Sequence, residues 1–297
     1  MKSLTSLAGS ALRTPWPSIV AEFDNVFNPS YLETSEYSYL AFRHASRTGE
    51  RPFHASLATI SKASGAVSIE DLSQLWTSET IPAIADPKLF LLDDGPGVTF
   101  NTGGTASSVY VARLDPLPSS PTLCEFPERG TVEKNWAFFG SWRHLKVVYS
   151  LSPLRFLAAD TETCGTVVFS LVEVHPTQDT ERLALHRRLA LGTPVLKVGD
   201  ALWGVCHEKF YVGTFRAYVG RPFRLNVAEG VKPELEIGHN RLVHNKMSML
   251  GSTRRHNRRL LSCTYFSGLT WRDDALIASY GINDVAYGFA DVSEGFM

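Results

Sequence analysis

The 297-residue chain has few cysteines, little net charge and no metal-binding histidine motif. Its four cysteines lie far apart without a CxxC pair, which argues against a zinc site and favours buried, reduced thiols. They are Cys124, Cys164, Cys206 and Cys263. The formal net charge of −1 creates no global field for nucleic acid or an anionic membrane surface. His239, His244 and His256 lack a spacing such as HExxH. We therefore expect no metal, no cofactor and no nucleic-acid partner.

Long apolar runs are also missing. Residues 4–12 are too short and too polar for the hydrophobic region of a secretory signal. No later stretch reaches the roughly 20 apolar residues that a bilayer span requires. The sequence therefore predicts a cytoplasmic protein without a membrane span.

Short runs of β-branched and aromatic residues, separated by turn residues, fill most of the chain. These runs are residues 38–43, 98–101, 109–113, 146–149, 167–172 and 211–215. Helical patterns are restricted to residues 68–75 and 179–189. Because large all-β folds reach this length with one core, the sequence predicts a single all-β domain.

A turn motif recurs before successive strand pairs. A polar residue beside Pro or Gly, or a charged cluster, occurs at residues 27–30, 85–90, 133–136, 191–195 and 279–284. The first intervals are about 50–60 residues, close to the length of a four-stranded propeller blade with its loops. The last interval is longer and contains the basic stretch 254–259, which we interpret as an insertion or a long hairpin loop.

These openings resemble the blade openings of the five-bladed β-propeller superfamily of glycosidases and phosphorylases. The most similar branch is that of the β-mannoside phosphorylases, with their glycosyltransferase relatives. The matching phrases are Asn28-Pro29 with residues 39–43, Asp86-Pro87-Lys88 with residues 98–100, Glu133-Lys134-Asn135-Trp136, residues 192–195 with 203–207, and residues 279–284. The resemblance implies a five-bladed propeller over residues 25–297, preceded by an N-terminal extension of residues 1–24.

One position departs from that family pattern. The phosphorylase branch has an aspartate as general acid just after the second-blade strand, where this chain reads Asn101-Thr102-Gly103-Gly104-Thr105. Without a carboxylate there, the family's proton relay is not carried over. Either another acid substitutes or the chemistry differs, and a glycosyltransferase fits because a phosphate or nucleotide leaving group needs little protonation.

Residues that open the blades of a propeller converge at one axial mouth, so we expect their charged side chains to share a pocket. The predicted catalytic residues, for acid–base chemistry or orientation of a hydroxyl, are Glu133 and Asp86. The predicted substrate-binding residues are Asn28, Arg43, Lys134, Trp136, His207, Tyr280 and Asp284.

The substrate-binding residues divide by chemistry, and each has a structural alternative. Arg43, Lys134 and His207 would supply positive charge to an anionic group, or pair with neighbouring carboxylates. Trp136 and Tyr280 would stack on sugar rings, or pack in the core. Asn28 and Asp284 would bind hydroxyls, or serve turns, and catalytic Asp86 has the same turn alternative.

Together these residues predict a carbohydrate-active enzyme that transfers a glycosyl unit with a phosphate-bearing donor or acceptor. Such an enzyme is a glycosyltransferase or a glycoside phosphorylase. Its expected partners are an oligosaccharide or glycan acceptor and a sugar phosphate, a nucleotide sugar or phosphate. The alternatives are a glycoside hydrolase and a non-catalytic sugar-binding propeller.

Overall fold

The computed structural model describes residues 4–45, 53–163, 165–175, 188–247 and 259–296. Most of the predicted helix at 179–189 lies outside these ranges. Cys164, His256 and most of the basic stretch 254–259 also lie outside the described residues.

Short strands dominate the described chain, and the α-helices α1 (Trp16–Ile19) and α2 (Leu72–Trp76) are brief. The first strands are β1 (Leu4–Ser6), β2 (Phe27–Glu33), β3 (Tyr37–Ala45), β4 (Phe53–Ser61) and β5 (Val67–Asp71). Then come β6 (Ala85–Leu92), β7 (Gly95–Asn101), β8 (Val109–Asp115), β9 (Leu117–Pro118), β10 (Thr122–Glu125), β11 (Ala137–Ser141), β12 (His144–Leu151), β13 (Leu154–Thr163) and β14 (Thr166–His175). The last are β15 (Arg188–Leu191), β16 (Leu196–Val198), β17 (Ala201–Val212), β18 (Phe215–Asn226), β19 (Glu234–Ile237), β20 (Arg241–Val243), β21 (Leu260–Arg272), β22 (Ala275–Ile282) and β23 (Ala286–Asp291). Short 3-10 helices are found at Leu7–Ser10 and Ser293–Gly295.

The strands form antiparallel meanders that follow one another along the chain. The first meander is β2–β5, and the second consists of β6, β7, β8 and β10. The third is β11–β14, joined to the second by parallel pairing of β14 with β10. The fourth runs from β16 to β19, and parallel pairing of β18 with β21 joins it to the fifth, β21–β23. The resulting sheets are curled and nearly closed.

Buried apolar clusters fill the space between neighbouring meanders. Representative members are Phe100 (first and second), Phe138 (second and third), Leu202 (third and fourth), Phe266 (fourth and fifth) and Phe289 (fifth and first). Full burial of one such side chain stabilises the fold by about 1.5–3 kcal/mol. The core is therefore divided among the meander interfaces, and the ring closes where the fifth meander packs on β2.

The N-terminal segment packs on this ring. Strand β1 pairs in parallel with β20, and the Leu12 N–H donates to the Phe289 carbonyl at 2.9 Å. Trp16 is 1% exposed and packs edge-on against Tyr31, with 5.8 Å between the ring centroids. Residues 4–20 thus contact both the fifth and the first meanders, while the domain boundary after residue 24 stays a prediction.

The all-β class is confirmed, but two local predictions are wrong. Residues 211–215 are not one strand, because Gly213 at φ +60° turns the chain from β17 into β18. Residues 68–75 begin as β5, and the helix starts only where the Asp71 carboxylate accepts the Gln74 N–H at 3.0 Å. Neither α-helix of the described ranges approaches the length and apolarity of a membrane span.

Candidate functional site

The first and second meanders open with the same local backbone feature. The pairing register shifts at Asn28-Pro29 in β2 and at Asp86-Pro87 in β6. Asn28 and Asp86 both have φ +48°, a left-handed conformation that Asn and Asp tolerate better than most residues. Such β-bulges re-aim side chains, and here the Asn28 Nδ2–H donates to Asp86 Oδ1 at 3.2 Å.

Arg43 in β3 joins this pair. Its Nη1 lies 3.3 Å from Asp86 Oδ1. Its guanidinium carbon lies 5.0 Å and 5.1 Å from the ring centroids of Phe27 and Phe53, so two cation–π contacts restrict its orientation. Its Nε is buried and has no hydrogen-bond partner among the described residues. Arg43 therefore presents a preoriented cation beside a carboxylate.

Lys88 connects this group to the following meanders. It is 3% exposed, and its Nζ donates to Asn135 Oδ1 at 2.7 Å and to the Gly192 carbonyl. The same Nζ lies 5.4 Å from the ring centroid of Tyr265, whose hydroxyl donates to Asn135 Oδ1 at 3.2 Å. Asn135 precedes β11 and Gly192 precedes β16. Lys88 thus contacts the openings of the third and fourth meanders and a side chain of the fifth.

Burial and neighbouring charges set the protonation of this cluster. Burial raises the pKa of Asp86, but Arg43, Lys88, the hydrogen bond from Asn28 and Lys134 together outweigh it, so that the pKa lies below its usual range. Burial lowers the pKa of Lys88 to about 7, with a smaller lowering from Lys134 and an opposing effect of Asp86. Asp86 is therefore an anion at neutral pH that can accept a hydroxyl or a proton. It is not suited to donate a proton there.

His207 lies against this cluster, but the prediction that it supplies positive charge is wrong. Burial, with the charges of Lys88 and Lys134, lowers the pKa of His207 to about 3 against a smaller raising effect of Asp86. Its Nε2 accepts the Phe266 N–H at 2.8 Å, which requires an unprotonated nitrogen. His207 is therefore neutral near pH 7 and cannot attract an anion by charge.

Lys134 and Asp284 lie at the edge of the cluster. Lys134 is exposed, and its charge contributes to the lowered pKa values of half-buried Asp86 and of buried Lys88 and His207. Asp284 is half-buried at φ +57°, as the turn alternative anticipated. After burial and Asp86, its charge is among the causes that raise the pKa of Tyr265 well above its ordinary value.

The structure gives Glu133 a position other than the one predicted. Its Oε1 accepts the Gly130 N–H at 2.7 Å and the Tyr149 hydroxyl at 2.8 Å, and its Oε2 accepts the Trp136 indole N–H at 2.7 Å. Trp136 is 2% exposed and packs edge-on against Phe169, with 5.4 Å between the ring centroids. The core alternative therefore applies to Trp136, and Glu133 holds a loop and two aromatic side chains together.

Tyr280 is also a core residue. It is 4% exposed in β22 and packs against Phe266, with 5.7 Å between the ring centroids. Burial raises its pKa to about 12. A ring in this position has no free face for a sugar, which corrects the stacking prediction.

Three members of the cluster were not predicted: Lys88, Asn135 and Tyr265. The available signal for Lys88 was a lysine at the start of the apolar run of β6, two residues after Asp86. Asn135 has φ +61°, as an Asn before an aromatic residue can adopt in a turn. Tyr265 has no local signal, because only the closed ring brings β21 near β6.

Other reactive groups do not add to this site. Within the part of the chain that the structure describes, no three His, Cys, Asp or Glu side chains come together as metal ligands. Cys124, Cys206 and Cys263 are buried free thiols. Burial raises the pKa of Cys206 to about 12, so it is no nucleophile at neutral pH. The predicted buried, reduced state holds for these three cysteines.

A surface groove of about 420 Å³ lies between the second and third meanders. Its walls include Arg113, Trp142, Arg143, Asp160 and Glu162. None of the predicted site residues lines it. The charged cluster at the meander openings therefore remains the candidate functional site.

Comparison with solved structures defines the class of fold. Matching structures include glycoside hydrolases and mannoside phosphorylases, and the likeness establishes a propeller-like fold. No known family model matches the chain, and neither does any curated protein.

Three solved structures illustrate the match. A glycosyl hydrolase from Bacteroides ovatus has a TM-score of 0.60 at 12% identity, covering 90% of this chain and 84% of the hydrolase. The β-1,2-mannobiose phosphorylase from Listeria innocua, in complex with β-1,2-mannobiose, has a TM-score of 0.57 at 13% identity, with 92% and 91% covered. A mannose phosphorylase from Leishmania mexicana, in complex with phosphate ion, has a TM-score of 0.52 at 12% identity, with 99% and 87% covered.

Proposed function

We propose that this chain is a five-bladed propeller enzyme that transfers a glycosyl unit, with a phosphate-bearing donor or acceptor. The observation that carries the proposal is the cluster of Arg43 and Lys88 around ionised Asp86, at the point where the meander openings meet. Cations preoriented beside a carboxylate suit a reaction in which a phosphate group and a sugar hydroxyl lie side by side.

The blade count rests on the meanders and their interfaces. Each meander defined above is one blade in this proposal, and each apolar cluster fills one gap between blades. The N-terminal segment supplies pairing at the free edge of the fifth meander, where Leu12 bonds to Phe289. This arrangement supports the count that the resemblance implied.

Arg43, Lys88 and Lys134 form the anion-binding side of the proposed site. Arg43 offers a planar fork matched to phosphate oxygens, whereas the lysines act as point charges. With Asp86 and Asp284 as the facing anions, the named groups carry three positive and two negative charges when Lys88 is protonated. A net positive cluster favours phosphate or a sugar phosphate, and Asp86 would accept a sugar hydroxyl.

The lack of a carboxylic acid placed to donate a proton, among the described residues of the cluster, restricts the donor substrate in this proposal. Residues 101–105 hold no carboxylate, and Asn101 bonds to the backbone at Ala85 and Gly103. The Glu133 carboxylate accepts bonds from its own loop and core. A phosphate leaving group departs without strong acid assistance, so transfer from a sugar 1-phosphate to a glycan hydroxyl fits these residues best. The mannoside phosphorylases of similar fold suggest mannose as the sugar to test first.

Product analysis would test the proposed reaction. The purified chain is incubated with mannose 1-phosphate and a mannose oligosaccharide, and in the reverse direction with β-1,2-mannobiose and phosphate. We expect phosphate release with oligosaccharide extension, or formation of mannose 1-phosphate. A parallel reaction with nucleotide sugars tests the other transferase donor.

Two alternatives give different products. A glycoside hydrolase would release free sugar without phosphate. A non-catalytic sugar-binding propeller is favoured by the missing carboxylate at residues 101–105, and it would bind oligosaccharide without any turnover. Absence of turnover together with absence of binding of phosphate, sugar phosphates and oligosaccharides would refute the proposed function.

A further inference from the structure

The charge of the candidate site depends on one buried side chain more than on the others. Lys88 is 3% exposed, and its Nζ is the donor that reaches both Asn135 and the Gly192 carbonyl. These two acceptors belong to segments that are separated by more than 50 residues in sequence and adjoin different meanders. Loss of the Lys88 proton would therefore alter the contacts of several segments of the site at once.

The charged and titratable groups that act on Lys88 and its neighbours come from several elements. Its own strand supplies Asp86, and Arg43 of β3 pairs with that carboxylate at 3.3 Å. The segment before β11 supplies Lys134 and the Asn135 amide oxygen. His207 of β17 is neutral near pH 7, and the Tyr265 hydroxyl of β21 also remains protonated there. Near neutral pH, the net charge of this group of residues therefore depends on whether Lys88 is protonated.

We propose that Lys88 is a positioning residue whose protonated form is required for anion binding at this cluster, so that the site loses affinity for anions above neutral pH. When the proton leaves, the balance among Arg43, Lys88, Lys134, Asp86 and Asp284 changes from one net positive charge to none. The charge-assisted bonds to Asn135 and Gly192 weaken at the same time. The inference rests on the proposed function, since it concerns the anion that this function requires.

The loss of one positive charge and the weakening of the hydrogen bonds from Lys88 both reduce anion binding. The cluster attracts an anion less strongly, and the Asn135 amide that Lys88 orients is held less firmly. Burial is the physical origin of the effect, because it lowers the pKa of Lys88 to about 7. An arginine would keep its charge under the same conditions, because its guanidinium does not lose a proton in proteins.

Sulfate binding between pH 6 and pH 9 tests this inference. Sulfate keeps the same double charge over that range, whereas phosphate titrates within it, so sulfate isolates the contribution of the protein. Affinity is measured by calorimetry on the full chain. We expect affinity to fall above neutrality by up to about tenfold per pH unit. Sulfate binding that does not change with pH would overturn the inference.

Variants distinguish the contribution of Lys88 to this pH dependence from that of other titrating groups. Lys88→Arg should keep sulfate affinity nearly constant over the same pH range, and Lys88→Met should make it uniformly weak. Lys197→Arg is the matched control, because exposed Lys197 pairs with Asp93 at 3.0 Å outside the cluster. It should retain the pH dependence of the unmodified chain. An unchanged pH dependence in Lys88→Arg would overturn the inference.

A spectroscopic titration covers the case in which Lys88→Arg does not fold. NMR of the unmodified chain labelled with 13C at lysine, with Lys88→Met to assign the signal, should show one lysine that titrates near pH 7. A Lys88 signal that titrates only near pH 10 would refute the inference while leaving the proposed function intact. Failure of the unmodified chain to bind sulfate and phosphate at any pH would instead refute the anion site of the proposed function, and this inference with it.

Discussion

Asp86 depends on its neighbours to remain ionised in a half-buried position. Arg43 and Asn28 both contact its Oδ1. Asp86→Asn should fold, because Asn also tolerates φ +48°. Under the proposed function it should lower turnover by about a hundredfold or more, since the variant loses the group that accepts a proton or a hydroxyl. Steady-state kinetics with mannose 1-phosphate measures the effect.

A matched variant tests whether charge alone is responsible. Asp93→Asn removes an exposed carboxylate that pairs with Lys197. It should change the free energy of unfolding by no more than about 1 kcal/mol and leave turnover unchanged. Equal turnover of Asp86→Asn and Asp93→Asn would contradict the assignment of Asp86.

Substitution of Glu133 should lower the stability of the fold more than it lowers turnover. In Glu133→Gln, one side-chain oxygen becomes an NH₂ group that faces a hydrogen-bond donor from Gly130, Tyr149 or Trp136. We expect a loss of about 1–3 kcal/mol in the free energy of unfolding, measured with urea, and nearly unchanged turnover. Lost turnover in a variant with unchanged stability would return Glu133 to the catalytic residues.

Some of the predicted residues lie together in the candidate cluster and others lie elsewhere, for physical reasons. Asn28 and Asp86 were recognisable because Asn and Asp before Pro mark turns, and the structure joins them by a hydrogen bond. Glu133 and Trp136 also form a polar and aromatic pair in sequence. Whether such a pair faces a mouth or the core depends on packing against Phe169, which the local sequence does not specify.

At the scale of the element, β22 must approach the bulge of β2 very closely. A Cβ on Gly281 would collide with Asn28 Oδ1 and lie 2.9 Å from the Asn28 backbone nitrogen. Gly281→Ala should therefore displace Asn28, lower the free energy of unfolding by about 1–3 kcal/mol and weaken sulfate binding. Gly9→Ala is the control, since nothing lies within 4 Å of its added Cβ. Equal stability of the two variants would show that the bulge adapts.

The sequence patterns predicted the strands better than the contacts between distant strands. Runs such as residues 109–113 and 146–149 became β8 and β12, because alternating β-branched and aromatic residues suit a half-buried sheet. The contact of Lys88 with Gly192 bridges about a hundred residues of chain. It exists only because the ring closes, and no local pattern encodes closure.

For the whole molecule, acid should destabilise the fold through His207. Burial, assisted by Lys88 and Lys134, gives His207 a pKa of about 3 in the fold against 6.5 ordinarily. Between these values the unfolded chain binds a proton that the folded chain does not. Stability should therefore fall as pH drops from about 6.5 towards 3, by up to about 1.4 kcal/mol per pH unit for this group. Urea unfolding of the unmodified chain and of His207→Gln should give a shallower pH dependence for the variant. Equal slopes would contradict the prediction.

The stability of the ring of meanders should also depend on the burial of Trp16. This side chain is 1% exposed, and it packs beside Tyr31 in the cluster between the fifth and first meanders. Trp16→Ala should lower the free energy of unfolding by about 3–5 kcal/mol. Leu75→Ala, at a site that is 54% exposed, should have little effect. Similar unfolding midpoints for both variants would show that the N-terminal segment is dispensable.

The attachment of the N-terminal segment to the last meander has a consequence for biosynthesis. Leu12 emerges from the ribosome long before its partner Phe289. Until translation of β23 is complete, the nascent chain cannot bury the indole of Trp16 and its neighbours in their native cluster. A ribosome that stalls before β23 would thus present an open ring with an apolar margin, which chaperones recognise and proteases cut.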